Sequence, residues 1–215
     1  MSGLRMLIVL IVFSIGCRQE KRYHDTKENV VVTTKNDKLA SILEFQEELN
    51  LEFKDPATSP LADRHRKNFK ELEFFAPDTN YIVKAKFVRT PDALPFLMPT
   101  NTDRKSEEVV YGIVKLQLKG KTYALEVYQN PELMLEKEYE DYLFLPFTDL
   151  TNGKQTYGGG RYLDLRIPDG DTIIIDFNRA YNPYCAYNKK FSCPLAPAVN
   201  NLNTQILAGV KAFRK

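Results

Sequence analysis

The sequence predicts an α+β fold that is mainly antiparallel β, a sandwich or barrel-like sheet, with one or two N-terminal helices. Hydrophobic residues recur at helical spacing between residues 39 and 72. Apolar and polar residues then alternate with a period of two along several later segments, and glycine turns separate some of these. Helices that precede a run of hairpin-forming strands are typical of an antiparallel sheet with its helices at one end.

Composition and net charge argue against some classes of function. The chain has 215 residues, of which 43% are hydrophobic and 27% charged, as in a soluble globular protein. Its net charge of +2 gives no basic excess, so we expect no nucleic-acid partner. With only His24 and His65 a multi-histidine metal site is impossible, and the sequence predicts neither a metal nor a cofactor.

The first residues resemble a secretory signal peptide. One positive charge, Arg5, precedes a continuous apolar run over residues 7–13, and small residues follow it. The run is too short to cross a bilayer, which needs about 20 apolar residues. The sequence therefore predicts a lipoprotein signal peptide over residues 1–16.

The residues SIGC at positions 14–17 resemble a bacterial lipobox, although Ser14 stands where that motif usually has leucine. The resemblance implies cleavage before Cys17 and lipidation of its thiol. Since more than one acyl chain is needed for stable anchoring, and such lipoproteins carry more than one, the lipid would bind the chain firmly to a membrane.

This reading divides the chain into three parts. Residues 1–16 form the signal peptide, residues 17–35 a flexible polar tether, and residues 36–215 a single mainly-β domain. Arg18 stands where an aspartate would favour the inner membrane, so by analogy with lipoprotein sorting we expect the cell envelope, at the periplasmic face of the outer membrane.

Two helices are predicted at the start of the domain. Asn36 and Asp37 can cap the first helix, and Pro56 ends it. Ser59-Pro60 then predicts a second, short helix, with serine as the N-cap and proline at the first helical position.

Six or seven strands follow. Residues 81–88 alternate as a half-buried strand, and residues 110–119 and 123–128 form a hairpin around Gly120. Residues 142–147 are interrupted by Pro146, which predicts an edge strand or a strand end.

Residues 161–167 and 172–177 form a second predicted hairpin, with Asp169-Gly170 as its turn. Residues 202–213 are ambiguous between an edge strand and a short helix.

The C-terminal third carries distinctive motifs. The strings PFTDLTNG, TYGGGRYLDL, DFNRAYNPYCAY and CPLAP, within residues 143–211, resemble the bacterial family called domain of unknown function 1684. Residues 59–69 resemble the family's N-terminal signature more loosely. Two departures are Pro183-Tyr184, where the family has paired prolines, and residues 208–211, where it favours a charged string. The resemblance implies fold and relationship but no activity.

The same region predicts a site for a small polar or anionic ligand. The guanidinium of Arg161 could form a bidentate contact with a carboxylate or phosphate, and the glycines beside it would allow a ligand to approach the backbone. Tyrosines offer flat faces with polar tips. The predicted ligand-binding residues are Tyr157, Gly159, Arg161, Tyr162, Asp176, Asn178, Arg179, Tyr181 and Asn182.

Structural roles compete with each of these predictions. Asn and Asp beside proline commonly hold turns, and Arg161 and Asp176 could form an ion pair between neighbouring strands. Three functions therefore stay open: ligand binding, an envelope hydrolase that uses carboxylates such as Asp149 and Asp176, and a scaffold for a protein partner. The sequence decides neither whether the protein is an enzyme nor its oligomeric state.

The remaining two cysteines, Cys185 and Cys193, allow one intramolecular pairing. An exported compartment permits a disulfide, which is the prediction. The alternatives are a metal site, for which too few ligands are present, and a reactive thiol.

Overall fold

The computed structural model describes residues 34–214. The predicted signal peptide, Cys17 and all of the predicted tether before Thr34 lie outside the described residues. Among the residues described, no helix combines the length and the apolar character needed to cross a membrane.

The first helix, α1, spans Lys35–Lys54. Its N-cap is Thr34, whose hydroxyl accepts from the N–H of Asp37 while the Asp37 carboxylate accepts from the N–H of Thr34. The cap therefore precedes the predicted Asn36, and Asp37 completes a capping box. The buried side of α1 consists of Ile42, Phe45, Leu49 and Phe53.

The second helix, α2, spans Asp63–Arg66 and begins later than Ser59-Pro60 predicts. The Ser59 hydroxyl instead donates to the carbonyl of Phe53 at 2.7 Å. Carbonyls at a helix C-terminus lack partners within the helix. Ser59 thus closes the end of α1 rather than capping α2.

Eight strands form one mostly antiparallel sheet that curls into a nearly closed barrel, which confirms the predicted fold class. The sheet order is β6-β5-β4-β3-β1-β7, while β2 pairs with β3 and β8 pairs in parallel with β5. The strands are β1 (Ile82–Arg89), β2 (Phe96–Pro99), β3 (Lys105–Leu118), β4 (Lys121–Gln129), β5 (Tyr142–Asp149), β6 (Arg161–Arg166), β7 (Thr172–Asp176) and β8 (Asn201–Leu202).

The β3–β4 hairpin forms as predicted. Its turn residues Lys119 and Gly120 have φ angles of 50° and 75°. Positive φ at both positions matches the right-handed twist of the strands, and glycine adopts it without strain.

The second predicted hairpin is wrong. β6 pairs with β5, and β7 pairs with β1 at the opposite edge of the sheet. Alternation identifies the buried side of a strand but not the strand it pairs with. Because the barrel is nearly closed, the short Asp169-Gly170 connection can join the two edges.

β5 is an interior strand, although Pro146 predicts an edge. Its pairing with β4 is limited to Tyr128 opposite Phe144, so no β4 residue needs the N–H that Pro146 lacks. The Asn200 side chain fills the gap between the two strands. Its Nδ2 donates at 2.8 Å to the carbonyls of Pro146 and Glu126, and its Oδ1 accepts from the N–H of Glu126.

The sheet packs on both faces. Its inner face, inside the barrel, carries a mainly aliphatic core, and its outer face carries an aromatic core that includes Phe45, Leu49 and Phe53 of α1. The chain beyond β8 contains no helix up to residue 214, and its residues Ile206, Ala208 and Val210 are fully buried. The C-terminal tail, residues 203–214, is therefore part of the core without regular secondary structure.

Candidate functional site

Arg161 begins β6 with its side chain on the inner face and 0% exposed. Its Nη2 donates to Asp149 Oδ2 and to the carbonyl of Ile206, both at 3.0 Å. Its Nη1 donates to the carbonyls of Ala208 and Val210. The guanidinium predicted to bind a ligand thus holds Asp149 and the C-terminal tail.

The ion partner of Arg161 is Asp149, not Asp176 as the sequence suggested. Asp149 also accepts through Oδ1 from the N–H groups of Thr151, at 2.8 Å, and Ile206, at 3.2 Å. Burial lowers the pKa of Arg161, and the Asp149 carboxylate opposes that shift. Apart from Arg161 Nε, which has no partner, the charged groups of the Arg161–Asp149 pair are hydrogen-bonded to protein groups.

Asp176 ends β7 and Asn178 lies in the 3-10 turn that follows, Phe177–Arg179; the two side chains lie together and both bind the chain itself. Asp176 Oδ1 accepts from the backbone N–H of Asn178 at 2.9 Å and from its Nδ2 at 2.8 Å. Asn178 in turn pairs with the backbone of Asp78, at 3.0 Å to its N–H and 2.9 Å to its carbonyl. Burial raises the pKa of Asp176, which the hydrogen bonds from Asn178 counteract. The pair ties the end of β7 to the segment before β1.

Arg179 packs against α1. Its Nη2 donates to Ser41 Oγ at 3.1 Å, and its guanidinium carbon lies 5.4 Å from the centre of the Phe45 ring. These contacts fix α1 to the sheet.

Tyr181 and Asn182 also contact protein groups. The Tyr181 hydroxyl donates to Asp164 Oδ1 at 2.6 Å. Asn182 Nδ2 donates to the carbonyl of Lys211 at 2.9 Å, while Asn182 Oδ1 is buried without a partner. The Tyr181 side chain therefore contacts β6, and the Asn182 side chain contacts the C-terminal tail.

The glycine run approaches the protein's own backbone. Gly160 has φ 92°, and a Cβ there would lie 2.6 Å from the carbonyl oxygen of Phe147. A Cβ on Gly159 would lie 2.6 Å from the ring of Tyr157. The chain needs glycine at 160 to pass close to β5.

Tyr162, one of the predicted ligand-binding residues, lines a pocket on the outer face of the sheet. Successive strand residues point to opposite faces, so Arg161 enters the barrel while Tyr162 lies on the outer face. The Tyr162 hydroxyl donates to the carbonyl of Pro194.

This pocket, the outer pocket, has a volume of about 290 Å³. β5 and β6 supply aromatic walls, β3 supplies a polar wall, and the loop after β4 forms much of the rim. It is lined by Arg104, Ser106, Glu108, Asn130, Glu132, Leu133, Glu136, Tyr142, Phe144, Tyr162 and Pro194.

A β-bulge directs β3 into the outer pocket. Val110 pairs with Tyr128 but Gly112 pairs with Val127, so Tyr111 is an extra residue. An extra residue reverses which face later side chains occupy. Residues 106 and 108 therefore face outward, although Val114 and the alternate residues after it face the inner core.

Glu108 is the charged group at the buried end of the outer pocket, 4% exposed. Its Oε1 accepts from Ser106 Oγ at 2.9 Å, whereas its Oε2 is buried without a hydrogen-bond partner. Burial raises the pKa of Glu108, whereas the Ser106 hydroxyl, the nearby side-chain amide of Asn130 and the charge of Arg104 lower it. The Asn130 amide donates to the carbonyl of Glu107 at 2.8 Å and makes no hydrogen bond to Oε2. A buried carboxyl with a free oxygen beside a cavity is typical of a binding site.

The charges around Glu108 are mostly negative. Glu132 and Glu136 lie exposed on the rim, and Arg104 is the pocket's basic residue. The Arg104 guanidinium already donates to Ser192, from Nε to Oγ and from Nη2 to the carbonyl, each at 3.0 Å.

Cys185 and Cys193, for which the sequence predicts a disulfide, are both free thiols. They lie 3.4 Å apart, so they are in contact without the predicted disulfide. The described residues contain no group of three or more side chains that could hold a metal ion.

Sequence reasoning missed Ser106 and Glu108. Both belong to the polar stretch that begins β3, KSEE, which reads as a solvent-exposed strand end. Alternation alone places Glu108 on the same side as Gly112 and Val114. The isolated Gly112 inside the strand pattern is a signal for the bulge that separates them. A second hint is the Ser-x-Glu spacing, which puts a donor beside a carboxylate on one strand face.

Comparisons with known proteins agree with the motifs in the C-terminal third. A solved structure similar to this chain is the solution NMR structure of an uncharacterized protein from Haloarcula marismortui, with 31% identity and a TM-score of 0.64. The similarity covers 82% of this chain and 95% of that chain. No curated protein matches. The model of the family described as "Protein of unknown function (DUF1684)" matches residues 67–211, and the chain therefore belongs to that family.

Proposed function

We propose that this protein binds a small ligand carrying a protonated amine in the outer pocket, with Glu108 as its anchor. The observation that carries the proposal is Glu108 Oε2, a buried carboxyl oxygen without a hydrogen-bond partner in a residue that lines a cavity. Leaving a buried acceptor unpaired costs about 1–3 kcal/mol, and more when it is charged. An N–H donor of a ligand would recover that free energy.

The charge of the pocket favours a cation. The pocket has three acidic side chains, Glu108, Glu132 and Glu136, and one basic side chain, Arg104. The Arg104 guanidinium already donates to Ser192. Opposite charge stabilises the ionised carboxyl, so an ammonium group would gain both a hydrogen bond and Coulomb attraction. The anionic ligand that the sequence suggested would meet three acidic side chains.

The aromatic residues that line the outer pocket favour a ligand whose amine is attached to an aromatic or apolar group. Tyr142, Phe144 and Tyr162 line one side, and the rings of Phe144 and Tyr162 meet edge to face at 4.7 Å. Aromatic faces attract cations as well as apolar groups. A volume of about 290 Å³ lies at the small end of ligand sites.

Calorimetric titration of the full chain in detergent tests the proposal. Phenethylamine should bind, whereas 3-phenylpropionate, which has a similar ring and chain but the opposite charge, should not. Affinity for the amine should rise with pH, because the raised pKa of Glu108 leaves part of the carboxyl protonated in mild acid.

A matched pair of variants locates the site. Glu108→Gln should weaken amine binding about 10- to 100-fold, as expected for loss of a charged hydrogen bond. Glu107→Gln makes the same charge change on an exposed neighbour in β3 and should leave affinity unchanged. Equal losses in both variants, or preference for the acid, would refute an amine site at Glu108.

We also propose that a lipid on Cys17 holds this domain in the cell envelope, at the periplasmic face of the outer membrane. Its support is the SIGC string after a short apolar run. Cells grown with labelled palmitate should label the wild type but not Cys17→Ser, and the variant should leave the membrane fraction. A Cys17→Ser protein that stays with the outer membrane would contradict the anchor.

A further inference from the structure

We propose that Cys185 and Cys193 form a redox-active thiol pair that exchanges electrons with disulfide compounds, with Cys185 as the attacking thiol and Cys193 as the resolving thiol. The pair lies 3.4 Å apart with both thiols free. The proposal is independent of ligand binding in the outer pocket.

The two thiols differ in access. Cys185 is half-buried, in the 3-10 turn Tyr184–Ala186, whereas Cys193 is 7% exposed. Asn101 holds the Cys193 backbone on both sides, donating its N–H to the carbonyl at 3.0 Å and accepting the N–H through Oδ1 at 2.6 Å. A disulfide compound can therefore reach the sulfur of Cys185 more easily than the sulfur of Cys193.

Polar contacts activate Cys185. Its sulfur lies 3.8 Å from the Tyr157 hydroxyl and beside the Cys193 thiol. The backbone N–H of Cys185 donates at 3.2 Å to Cys193 Sγ, a contact that favours a thiolate on Cys193 instead. Hydrogen bonding from the Cys193 thiol lowers the pKa of Cys185 to about 7, although burial acts against it. The neighbouring Cys185 sulfur and burial raise the pKa of Cys193. A thiolate is thus formed on the more accessible sulfur, which is the arrangement that exchange needs.

The exchange proceeds in two balanced steps. The Cys185 thiolate attacks one sulfur of a small disulfide, whose S–S bond breaks and releases one thiolate. Cys193 then loses its proton and attacks Cys185, forming the protein disulfide and releasing the second thiolate. Two electrons pass from the protein to the small disulfide, and the two protein protons end on the two released thiols.

The lysines between the cysteines make the reaction easy to follow. Trypsin cuts after Lys189 and Lys190, so the peptides of Cys185 and Cys193 separate unless a disulfide joins them. The full chain, purified in detergent, is equilibrated with mixtures of reduced and oxidised glutathione and analysed by mass spectrometry. The linked peptide should appear and disappear reversibly as the glutathione ratio changes.

Variants assign the two roles. Cys193→Ala should accumulate a Cys185–glutathione mixed disulfide, whereas Cys185→Ala should leave Cys193 mostly unmodified. Alkylation of wild-type Cys185 by iodoacetamide should show a midpoint near pH 7, and Cys193→Ala should shift that midpoint upward.

The wild-type measurement does not depend on how the variants fold. A pair that stays reduced in oxidised glutathione would overturn the proposal. So would a bridge that reduced glutathione cannot open, since that result identifies a structural disulfide. Failure of amine binding in the outer pocket would leave these results unaffected.

Discussion

Two buried charged side chains lie on opposite faces of the same sheet and differ in their hydrogen bonds. Arg161, on the inner face, donates through its Nη atoms to one carboxylate and three carbonyls. Glu108, on the outer face, has a donor at one oxygen and none at the other. Burial shifts the pKa of each toward the neutral form. Burial and one unpaired buried atom, Nε of Arg161 and Oε2 of Glu108, are thus common to both residues. They differ in that Arg161 makes four hydrogen bonds inside the barrel, whereas Glu108 has one side-chain donor and lines the outer pocket.

The largest effect should follow from Arg161→Met. The substitution leaves the Asp149 carboxylate buried without its counter-charge and frees three carbonyls of the C-terminal tail. Breaking a buried pair in this way costs about 3–5 kcal/mol, so urea unfolding of the full chain should show a loss of that size or no folded state.

The exposed pair Arg66–Asp63 is the control. Its N–O distance is 3.2 Å, close to the 3.0 Å of Arg161–Asp149, but the Asp63 side chain is 81% exposed. Asp63→Asn should cost less than about 1 kcal/mol. Similar losses at the two pairs would show that Arg161 does not hold the tail.

Gly160→Ala should have the next largest effect. The substitution forces alanine to φ 92° and places its Cβ 2.6 Å from the Phe147 carbonyl, which should cost about 1–3 kcal/mol or more. Gly158 is the control, because its φ is not positive and its nearest contact to a new Cβ is 3.8 Å. If thermal or urea unfolding finds Gly158→Ala as damaging as Gly160→Ala, the close approach to β5 is not what the glycine run serves.

The smallest effect is a change in pH dependence at Glu108. The unfolded carboxyl has a pKa near 4.5, and burial raises the pKa in the folded state. The folded chain therefore binds more protons above pH 4.5, so this group's contribution to stability falls as pH rises through the folded pKa. Glu108→Gln cannot lose a proton and should gain stability relative to the wild type between pH 4 and pH 7.

Urea unfolding at several pH values measures that difference, with Glu107→Gln as the control. The exposed Glu107 should give a difference from the wild type that hardly changes with pH. A flat difference for Glu108→Gln would mean that the carboxyl is not destabilised by burial, and the contrast with Arg161 would lose its basis.

Local features of the fold were predictable from the sequence. The Lys119-Gly120 turn of the β3–β4 hairpin depends on residues adjacent in the chain, and the buried side of α1 follows from helical spacing. Pairings between distant segments were not predictable. Alternation in β6 and β7 fits a hairpin as well as it fits two opposite edges of a barrel.

The candidate site was harder to predict. The sequence predicts one polar cluster from the motif residues. Successive residues of a strand point to opposite faces, so Arg161 and Tyr162 could have been assigned to different faces of the sheet from the sequence alone. The partners of Arg161 in the tail lie 45–49 residues away, and no spacing rule connects them. Glu108 reaches the outer pocket through the bulge at Tyr111, for which the isolated Gly112 is a hint in the sequence that alternation alone does not use.

The hydrogen bonds from Arg161 to the tail have a consequence for biosynthesis. Ribosomes make a chain from its N-terminus, so Arg161 and Asp149 are synthesised before the carbonyls of Ile206, Ala208 and Val210. Until they emerge, the Arg161 guanidinium has only the Asp149 carboxylate as a hydrogen-bond partner, and the barrel interior lacks the side chains of Ile206 and Ala208. Domains generally fold as units during synthesis, and this one can complete its core only after residues 206–210 have left the ribosome. Nascent chains stalled before the tail should therefore remain sensitive to protease.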